Sequence, residues 1–241
     1  MLRTIFIILC TLSLTTVFSG CASKQANDEN EEALFQSSQD LIANEKYHLA
    51  VLRQELFEQR YPFSHYAEKN QIDLMFSRYK NGQQTEAVIL ADRFIRLHPD
   101  HKQVAYAWYV KALATYDLSR SNRSFLTGKD ISLRDSKQAR QAFDYFRIYL
   151  ENFPQHKYAP DARLKQLDIR NRLATYDVKV AQFYFERKAW VAAVNRANKV
   201  LEDYAGSPLV EDALRIMADS YLQMGEAELA NQIQQQLTLL Q

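Results

Sequence analysis

The chain has 241 residues, with 30 Lys and Arg against 29 Asp and Glu. This near-neutral balance argues against general nucleic-acid binding, which needs a net basic surface. The length suits one large domain or two small ones, and five Gly and five Pro are few for a turn-rich β-fold. Because helix formers dominate and β-branched alternation is scarce, the composition predicts an all-α protein.

The first 20 residues form a predicted secretory signal. Arg3 precedes a short apolar run, and small residues stand directly before the cysteine in Val17-Phe18-Ser19-Gly20-Cys21. This arrangement resembles a bacterial lipobox, although its third residue before the cut is Phe rather than the commoner Leu. It predicts cleavage after residue 20 and acylation of Cys21, palmitate included. The alternatives are an ordinary cleaved signal with a chance cysteine, or an uncleaved anchor, which the short apolar run disfavours.

Cleavage leaves Cys21 as the only cysteine, because Cys10 leaves with the signal. A disulfide is then impossible, so the exported chain must be stabilised by its core or by partners. Residues 22–32 are polar and lack aromatic side chains. They predict a flexible tether, which together with Cys21 covers 21–32 and leads to a domain over 33–241.

A repeat organises this domain. Alanines recur in similar contexts at spacings of 37, 55, 51 and 37, at positions Ala50, Ala87, Ala142, Ala193 and Ala230. Spacings in the thirties with helical patterning are typical of stacked helix–turn–helix units. A small residue lets helix B approach helix A closely, and a following proline ends helix B. The sequence therefore predicts five tetratricopeptide-like repeats in a right-handed solenoid, with a non-repeating helical bundle as the alternative.

The two longer spacings predict departures from the repeat. The first contains a polar stretch over 119–136, predicted as a loop inserted between the N-terminal repeats (about 33–118) and the C-terminal repeats (about 137–241). Its Phe125-Leu126 pair lies among basic residues, which fits contact with lipid or a partner, or packing on its own domain. The second spacing contains a helical run over 162–185, longer than one repeat helix needs.

Residues typical of catalysis or cofactor binding are scarce. The chain has no Gly-x-Ser-x-Gly, Gly-rich phosphate loop or His-Glu-x-x-His. His98 and His101 bracket Pro99 at a repeat junction without further ligands at suitable spacing, so solvated turn histidines are predicted there rather than a metal site. We expect no catalytic residue, cofactor or metal, and a hydrolase on a helical domain finds no support.

Two segments are candidates for binding protein partners. Helical spacing and a shift of 37 predict one aromatic stripe, made of Ile72, Phe76, Tyr79, Tyr109, Leu113 and Tyr116. The stripe could hold the apolar side chains of an unfolded segment, or it could pack helix A against its neighbours. The segment 180–196 is rich in aromatic residues and arginine, which are enriched in binding hot spots. A plain solenoid core with solvated arginines is the alternative.

The mature chain resembles the BamD (ComL or YfiO) family of outer-membrane lipoproteins in the β-barrel assembly machinery. The matching segments are Tyr61-Pro62 with Tyr66-Ala67, Asp92–Pro99 (Asp-Arg-Phe-Ile-Arg-Leu-His-Pro), Ala139–Phe143, Arg172–Ala174, Val180–Tyr184 and Val194-Asn195-Arg196. The resemblance implies a non-enzymatic scaffold held by Cys21 on the periplasmic face of the outer membrane. Ala22 after the cysteine agrees with outer-membrane sorting.

The resemblance also implies partners. The C-terminal repeats would dock the periplasmic domain of the barrel-forming subunit, and Arg196 is the leading contact, with Asn195, Arg187 and Trp190 beside it. The N-terminal repeats would engage unfolded outer-membrane proteins, and accessory lipoproteins of the same complex would bind elsewhere. Another periplasmic tetratricopeptide lipoprotein, an adaptor in an envelope or peptidoglycan-organising complex, is the alternative.

Overall fold

A computed structural model describes residues 29–120 and 136–240, which form ten α-helices. The helices are α1 (Glu31–Ala43), α2 (Tyr47–Arg60), α3 (Ala67–Lys80), α4 (Gln84–Leu97), α5 (Val104–Arg120), α6 (Ser136–Asn152), α7 (Ala159–Glu186), α8 (Trp190–Asp203), α9 (Val210–Met224) and α10 (Ala227–Leu239). Odd-numbered helices are helix A and even-numbered helices are helix B of five successive repeats. The all-α, five-repeat prediction is confirmed. The predicted signal, Cys21 and the Phe125-Leu126 pair lie outside the described residues.

The turns from helix B to the next helix A share one hydrogen-bonding pattern. In the first, Tyr61 N donates to Phe57 O at 2.8 Å, Ser64 N to Tyr61 O at 3.2 Å and Ala67 N to Ser64 O at 3.0 Å. The same three bonds recur with shifts of 37, 92 and 143 residues, the latter two equal to 37 + 55 and 37 + 55 + 51. The spacings read from the alanines are therefore the spacings of a repeated backbone conformation.

The four described turns from helix A to helix B share a left-handed residue. Glu45 and Lys188 have φ of 55° and 59°, and Gly82 and Gly225 have φ of 78° and 83°. This conformation is easy for glycine and costly for a side chain with Cβ. Two repeats thus place glycine where the backbone needs it, and two accept strain at the corresponding position.

The five pivotal alanines lie in the contact between helices A and B. Four of them have no exposed surface and Ala230 has 1%. Three of the same B helices also carry the four largest fully buried side chains, Phe57, Phe94, Phe146 and Tyr149. Each of these helices therefore buries both a small alanine and a large aromatic residue, as close packing of helices requires.

Two boundaries differ from the sequence prediction. Helix α1 begins at Glu31, two residues before the expected start, because the Asn30 side chain accepts a hydrogen bond from Ala33 N at 2.8 Å and acidic residues fill the first turn. Helix α5 continues to Arg120, past the expected end at 118, and the buried Ser119 hydroxyl donates to Tyr116 O at 2.7 Å. Helix α5 therefore includes the first two residues of the stretch predicted as an insertion.

Helix α7 is twice as long as α3, with 28 residues against 14. Its length is about 42 Å at 1.5 Å per residue. It contacts α5 and α6 on one side and α8 and α9 on the other. Over the residues that the structure describes, none of the helices is long and apolar enough to cross a membrane.

Candidate functional site

The six residues of the predicted stripe lie on helices α3 and α5 with different degrees of burial. Ile72, Tyr109 and Tyr116 are buried in the main core cluster. Tyr79 and Leu113 are half-buried and pack against that cluster. Phe76 is half-buried and meets Tyr47 edge-on, with 5.8 Å between ring centroids. Most of the ring surface thus goes into packing, and substrate binding by these six residues stays a prediction.

The hydroxyl groups of the three stripe tyrosines each bind an aspartate on the next helix A. Tyr79 Oη donates to Asp117 Oδ2 at 2.7 Å, joining α3 to α5. Tyr109 Oη donates to Asp161 Oδ2 at 2.6 Å and Tyr116 Oη donates to Asp168 Oδ2 at 3.0 Å, both joining α5 to α7. We call these three pairs the tyrosine–aspartate row.

Burial and the neighbouring carboxylates keep these tyrosines neutral. Burial is the largest cause that raises the pKa of Tyr79, Tyr109 and Tyr116, and the hydrogen-bonded aspartate raises it further. Each hydroxyl is therefore a donor at any physiological pH. Because each bond joins a neutral donor to a carboxylate, it is stronger than a bond between two neutral groups.

Basic side chains surround the last tyrosine of the row. Arg120 Cζ, Lys165 Nζ and Arg172 Cζ lie 5.4, 5.3 and 5.6 Å from the centroid of the Tyr116 ring. Arg120 Nη1 and Arg172 Nε lie 3.2 and 3.4 Å from Asp168 Oδ2. Two arginines thus share the Asp168 carboxylate near the end of α5, while Lys165 Nζ lies 3.4 Å from Asp161 Oδ1.

The C-terminal candidate Arg196 is tied to a buried aspartate. Asp177 on α7 has no exposed side-chain surface, and its Oδ1 accepts from Arg196 Nη1 at 2.8 Å. Arg140 Nη2 from α6 lies 3.6 Å from Asp177 Oδ2. Burial raises the pKa of Asp177 and outweighs the two arginines, which lower it. The Arg196 side chain is 30% exposed, so it pairs with a buried carboxylate and is still partly open to solvent.

The other three predicted docking residues lie on the same helix pair. Arg187 is exposed, with its guanidinium carbon 3.6 Å from the centroid of Phe183, a ring that is itself 47% exposed. Trp190 is half-buried and meets Phe185 edge-on at 5.0 Å. Asn195 is exposed on α8 beside Arg196. We call these three residues, together with Arg196, the α7–α8 surface.

The histidines at the second repeat junction are partly covered, with side-chain exposures of 23% for His98 and 19% for His101. Both histidines lie in the turn, and each ring is only partly open to solvent. His101 Nδ1 accepts a hydrogen bond from Gln103 N at 3.0 Å and thereby caps the start of α5, and both rings face Glu68. Within 29–120 and 136–240, no group of three or more His, Cys, Asp or Glu side chains is arranged to hold a metal ion.

The sequence contains spacings that could have predicted the aspartate partners. Asp161 and Asp168 are seven residues apart, as are Tyr109 and Tyr116, so the two pairs match over two helical turns. Asp177 stands in the buried stripe of α7 that includes Leu173. An acidic residue in an apolar register predicts a buried ion pair, although it does not say which arginine completes it.

Comparisons with known proteins identify the family. A profile described as "Outer membrane lipoprotein" (YfiO) matches residues 27–237. The outer membrane protein assembly factor BamD of Neisseria meningitidis serogroup A is 33% identical over 231 residues, which cover 92% of this chain and 86% of that protein. The proteins of the same name from Xylella fastidiosa (strain Temecula1) and Vibrio cholerae are 32% and 30% identical, covering 96% and 95% of this chain and 79% and 95% of theirs.

Among solved structures, one of MamA (MSR-1) covers 86% of this chain and 97% of its own, with 15% identity and a TM-score of 0.37. That likeness is too low to carry an argument about this protein. The match to the family profile covers most of the chain, and the related sequences align over nearly their whole length. The chain therefore belongs to the BamD (YfiO) family of outer membrane lipoproteins.

Proposed function

We propose that this chain is a non-enzymatic scaffold in the assembly of outer-membrane β-barrel proteins, attached to the outer membrane through lipid on Cys21. The observation that carries the proposal is the similarity to outer membrane protein assembly factors over nearly the full length. A solenoid also suits the role, because stacked repeats present extended surfaces to several proteins at once. Membrane attachment and two protein sites on one scaffold raise the effective concentration of each partner for the others.

The docking site for the barrel-forming subunit is the α7–α8 surface. Arg196 is its central contact, because Asp177 fixes one edge of the guanidinium and leaves other donors free for an acidic group on the partner. Arg187, Trp190 and Asn195 complete it with the aromatic and amide groups typical of hot spots. This arrangement means that a simple charge reversal at Arg196 would disturb both the fold and the docking.

The docking test must separate those two effects. We would compare Asp177→Asn with the double variant Asp177→Asn/Arg196→Gln, since neither contains an unpaired buried charge. Affinity capture of the lipidated chain from outer-membrane extracts should recover the barrel-forming subunit with the single variant and lose it by about tenfold or more with the double variant. Arg215→Gln, at an exposed arginine of α9, is the matched control. Equal capture by both variants would mean that Arg196 is purely structural.

The same capture separates the two functional readings. Recovery of an outer-membrane barrel protein with a periplasmic domain supports the assembly role. Recovery of only peptidoglycan-linked proteins would instead favour the adaptor role in another envelope complex. In the first case, accessory lipoproteins of the same complex should be captured as well. With the double variant Asp177→Asn/Arg196→Gln, they should be lost if they bind through the barrel subunit and should remain if they bind a separate surface of this chain.

The N-terminal repeats are proposed to engage unfolded outer-membrane protein segments next to the tyrosine–aspartate row, to which α7 of the C-terminal repeats contributes two aspartates. The half-buried Phe76 and Leu113 offer apolar surface, and the side chains of Asp161 and Asp168 are 43% and 39% exposed. An extended segment could pack alternate side chains on Phe76 and Leu113, and its main-chain amides could donate hydrogen bonds to the two aspartates. Leu113→Lys should weaken binding of a labelled peptide with alternating apolar residues, measured by anisotropy. Ile89→Lys, at an exposed position of α4, is the control.

The lipid anchor has its own test. Cells expressing the chain should incorporate labelled palmitate into it, and Cys21→Ala should abolish the label. Retention of the label in the variant would refute acylation at Cys21. Loss of the label together with release from the outer-membrane fraction is the expected result.

A further inference from the structure

The turn between α2 and α3 ends in an aromatic ring that nothing in the described chain covers. Phe63 is 99% exposed at the tip of Tyr61-Pro62-Phe63-Ser64. The three related turns carry Asp100, Gln155 and Gly206 at this tip position, and all three are exposed. An apolar tip is therefore a property of the first turn and not of the repeat.

The turn holds Phe63 outward on a well-packed base. Tyr66 stacks on Phe35 of α1 with 4.3 Å between centroids and an interplanar angle of 11°, and Tyr61 meets Phe57 at 5.6 Å. Tyr66 N donates to Ser64 Oγ at 2.9 Å, and Pro62 fixes its own φ. The turn is thus braced by these contacts, and the Phe63 ring projects from it into solvent.

This turn is also the one that holds the beginning of the described chain. The Tyr61 hydroxyl donates to Glu29 O at 2.9 Å, and Arg53 Nη1 donates to Glu29 Oε2 at 2.6 Å. His65 Nδ1 lies 3.2 Å from Glu31 Oε1, and Ser64 Oγ also binds this carboxylate. Four residues of helix α2 and the turn thus fix the place where the chain enters the solenoid.

The distance from this entry point to the proposed lipid site is short. Cys21 lies eight residues before Glu29, and eight residues span at most about 29 Å when fully extended. An acylated Cys21 would therefore limit how far Glu29, and the α2–α3 turn that binds it, can move from the bilayer, to about 29 Å. No other turn between repeats is tied to the entry point in this way within the described residues.

We propose that Phe63 is a second membrane contact, inserting its ring into the interfacial region of the bilayer to which Cys21 is anchored. Aromatic and large apolar side chains favour this region, where the ring leaves water while the chain around it stays solvated. The exposed Arg60 and His65 flank the turn and suit the headgroup layer. The contact would orient the solenoid with the α2–α3 turn toward the membrane. This inference rests on the lipid attachment in the proposed function.

Tryptophan fluorescence tests the inference with the lipidated chain reconstituted in phosphatidylethanolamine–phosphatidylglycerol vesicles. Phe63→Trp adds a reporter at the tip, and Asp100→Trp adds one at the same position of the next turn. Emission of the parent chain, which contains Trp108 and Trp190, is subtracted. In vesicles with brominated acyl chains, the added emission of F63W should fall about twofold or more, as expected for a ring at the interface, while that of D100W should barely change.

Flotation of the same vesicles separates the possible failures. If F63W floats with the vesicles but is quenched no more than D100W, the Phe63 contact is overturned and the anchor stands. If neither variant floats and Cys21 carries no palmitate, the anchor fails and the Phe63 inference fails with it. Matching helical circular dichroism of both variants and the parent chain excludes misfolding as the source of a difference.

Discussion

Replacing Arg196 by Ala should destabilise the fold through the charge it leaves behind on Asp177. Asp177 is fully buried and has two cationic neighbours, Arg196 at 2.8 Å and Arg140 at 3.6 Å. Removing one partner of a buried ion pair costs about 3–5 kcal/mol. Because Arg140 remains and both arginines are about a third exposed, we expect a smaller loss of about 2–3 kcal/mol in the free energy of unfolding.

The buried charge, and not the lost contact, is the predicted cause, so neutralising Asp177 should restore stability. The double variant Asp177→Asn/Arg196→Ala is expected to be about 1–2 kcal/mol more stable than R196A alone. Urea unfolding followed by circular dichroism measures both values. Arg215→Ala, an exposed arginine paired within its own helix, should change stability by less than about 0.5 kcal/mol. Additive effects of D177N and R196A would refute the reasoning.

The same pair predicts a pH dependence. Because burial raises the pKa of Asp177 above its ordinary 3.8, the folded protein binds this proton more tightly than the unfolded chain. Its contribution to stability is therefore full below about 3.8 and is lost as pH rises through the raised folded pKa. Removing Arg196 raises that pKa further, so the deficit of R196A should be larger at neutral pH than at about pH 4. A deficit that is constant with pH would contradict a charged Asp177.

Three further predictions test the repeat geometry. Tyr109→Phe removes the hydroxyl that binds the half-exposed Asp161 and should cost about 1 kcal/mol, measured by urea unfolding against the parent chain. Glu45→Gly relieves a left-handed φ of 55° and should raise the free energy of unfolding by about 0.5–1 kcal/mol, whereas Gly82→Ala should lower it by about 1 kcal/mol at the corresponding turn. Thermal unfolding measures both variants, and shifts of the same sign would contradict this explanation. Ala193→Leu overfills a helix contact with no free surface and should cost at least about 1–3 kcal/mol, seen as a lower urea midpoint.

The repeat was predictable because its signals are local. An alanine at a helix crossing and an aromatic–Pro turn act within one helix pair, and their spacings reproduce those of the backbone turns. The predicted tether includes the first two residues of α1, because composition alone does not distinguish a capping Asn30 from a tether residue. Capping depends on one side-chain hydrogen bond, which a polar segment offers at many positions.

The site was less predictable because its partners lie far apart in sequence. Tyr109 and Asp161 are separated by 52 residues, across an insertion whose length no repeat rule fixes. The face shared by Ile72 and Tyr79 was evident from helical spacing. Whether such a face lines a groove or packs in the core depends on how closely the next helix A approaches, and that distance follows from tertiary structure.

Helix α7 contributes aspartates to both of the proposed protein-binding sites. Its first half carries Asp161 and Asp168, which hold the tyrosines of α5, and its second half carries Asp177, which holds Arg196 on α8. Asp168 and Asp177 are nine residues apart, or about 14 Å along the helix axis. One continuous helix therefore carries the aspartates of both proposed sites, without a loop between them. A helix of 14 residues beginning at Ala159, as long as α3, would end before Asp177, so the extra length of α7 places both sets of aspartates on the same helix.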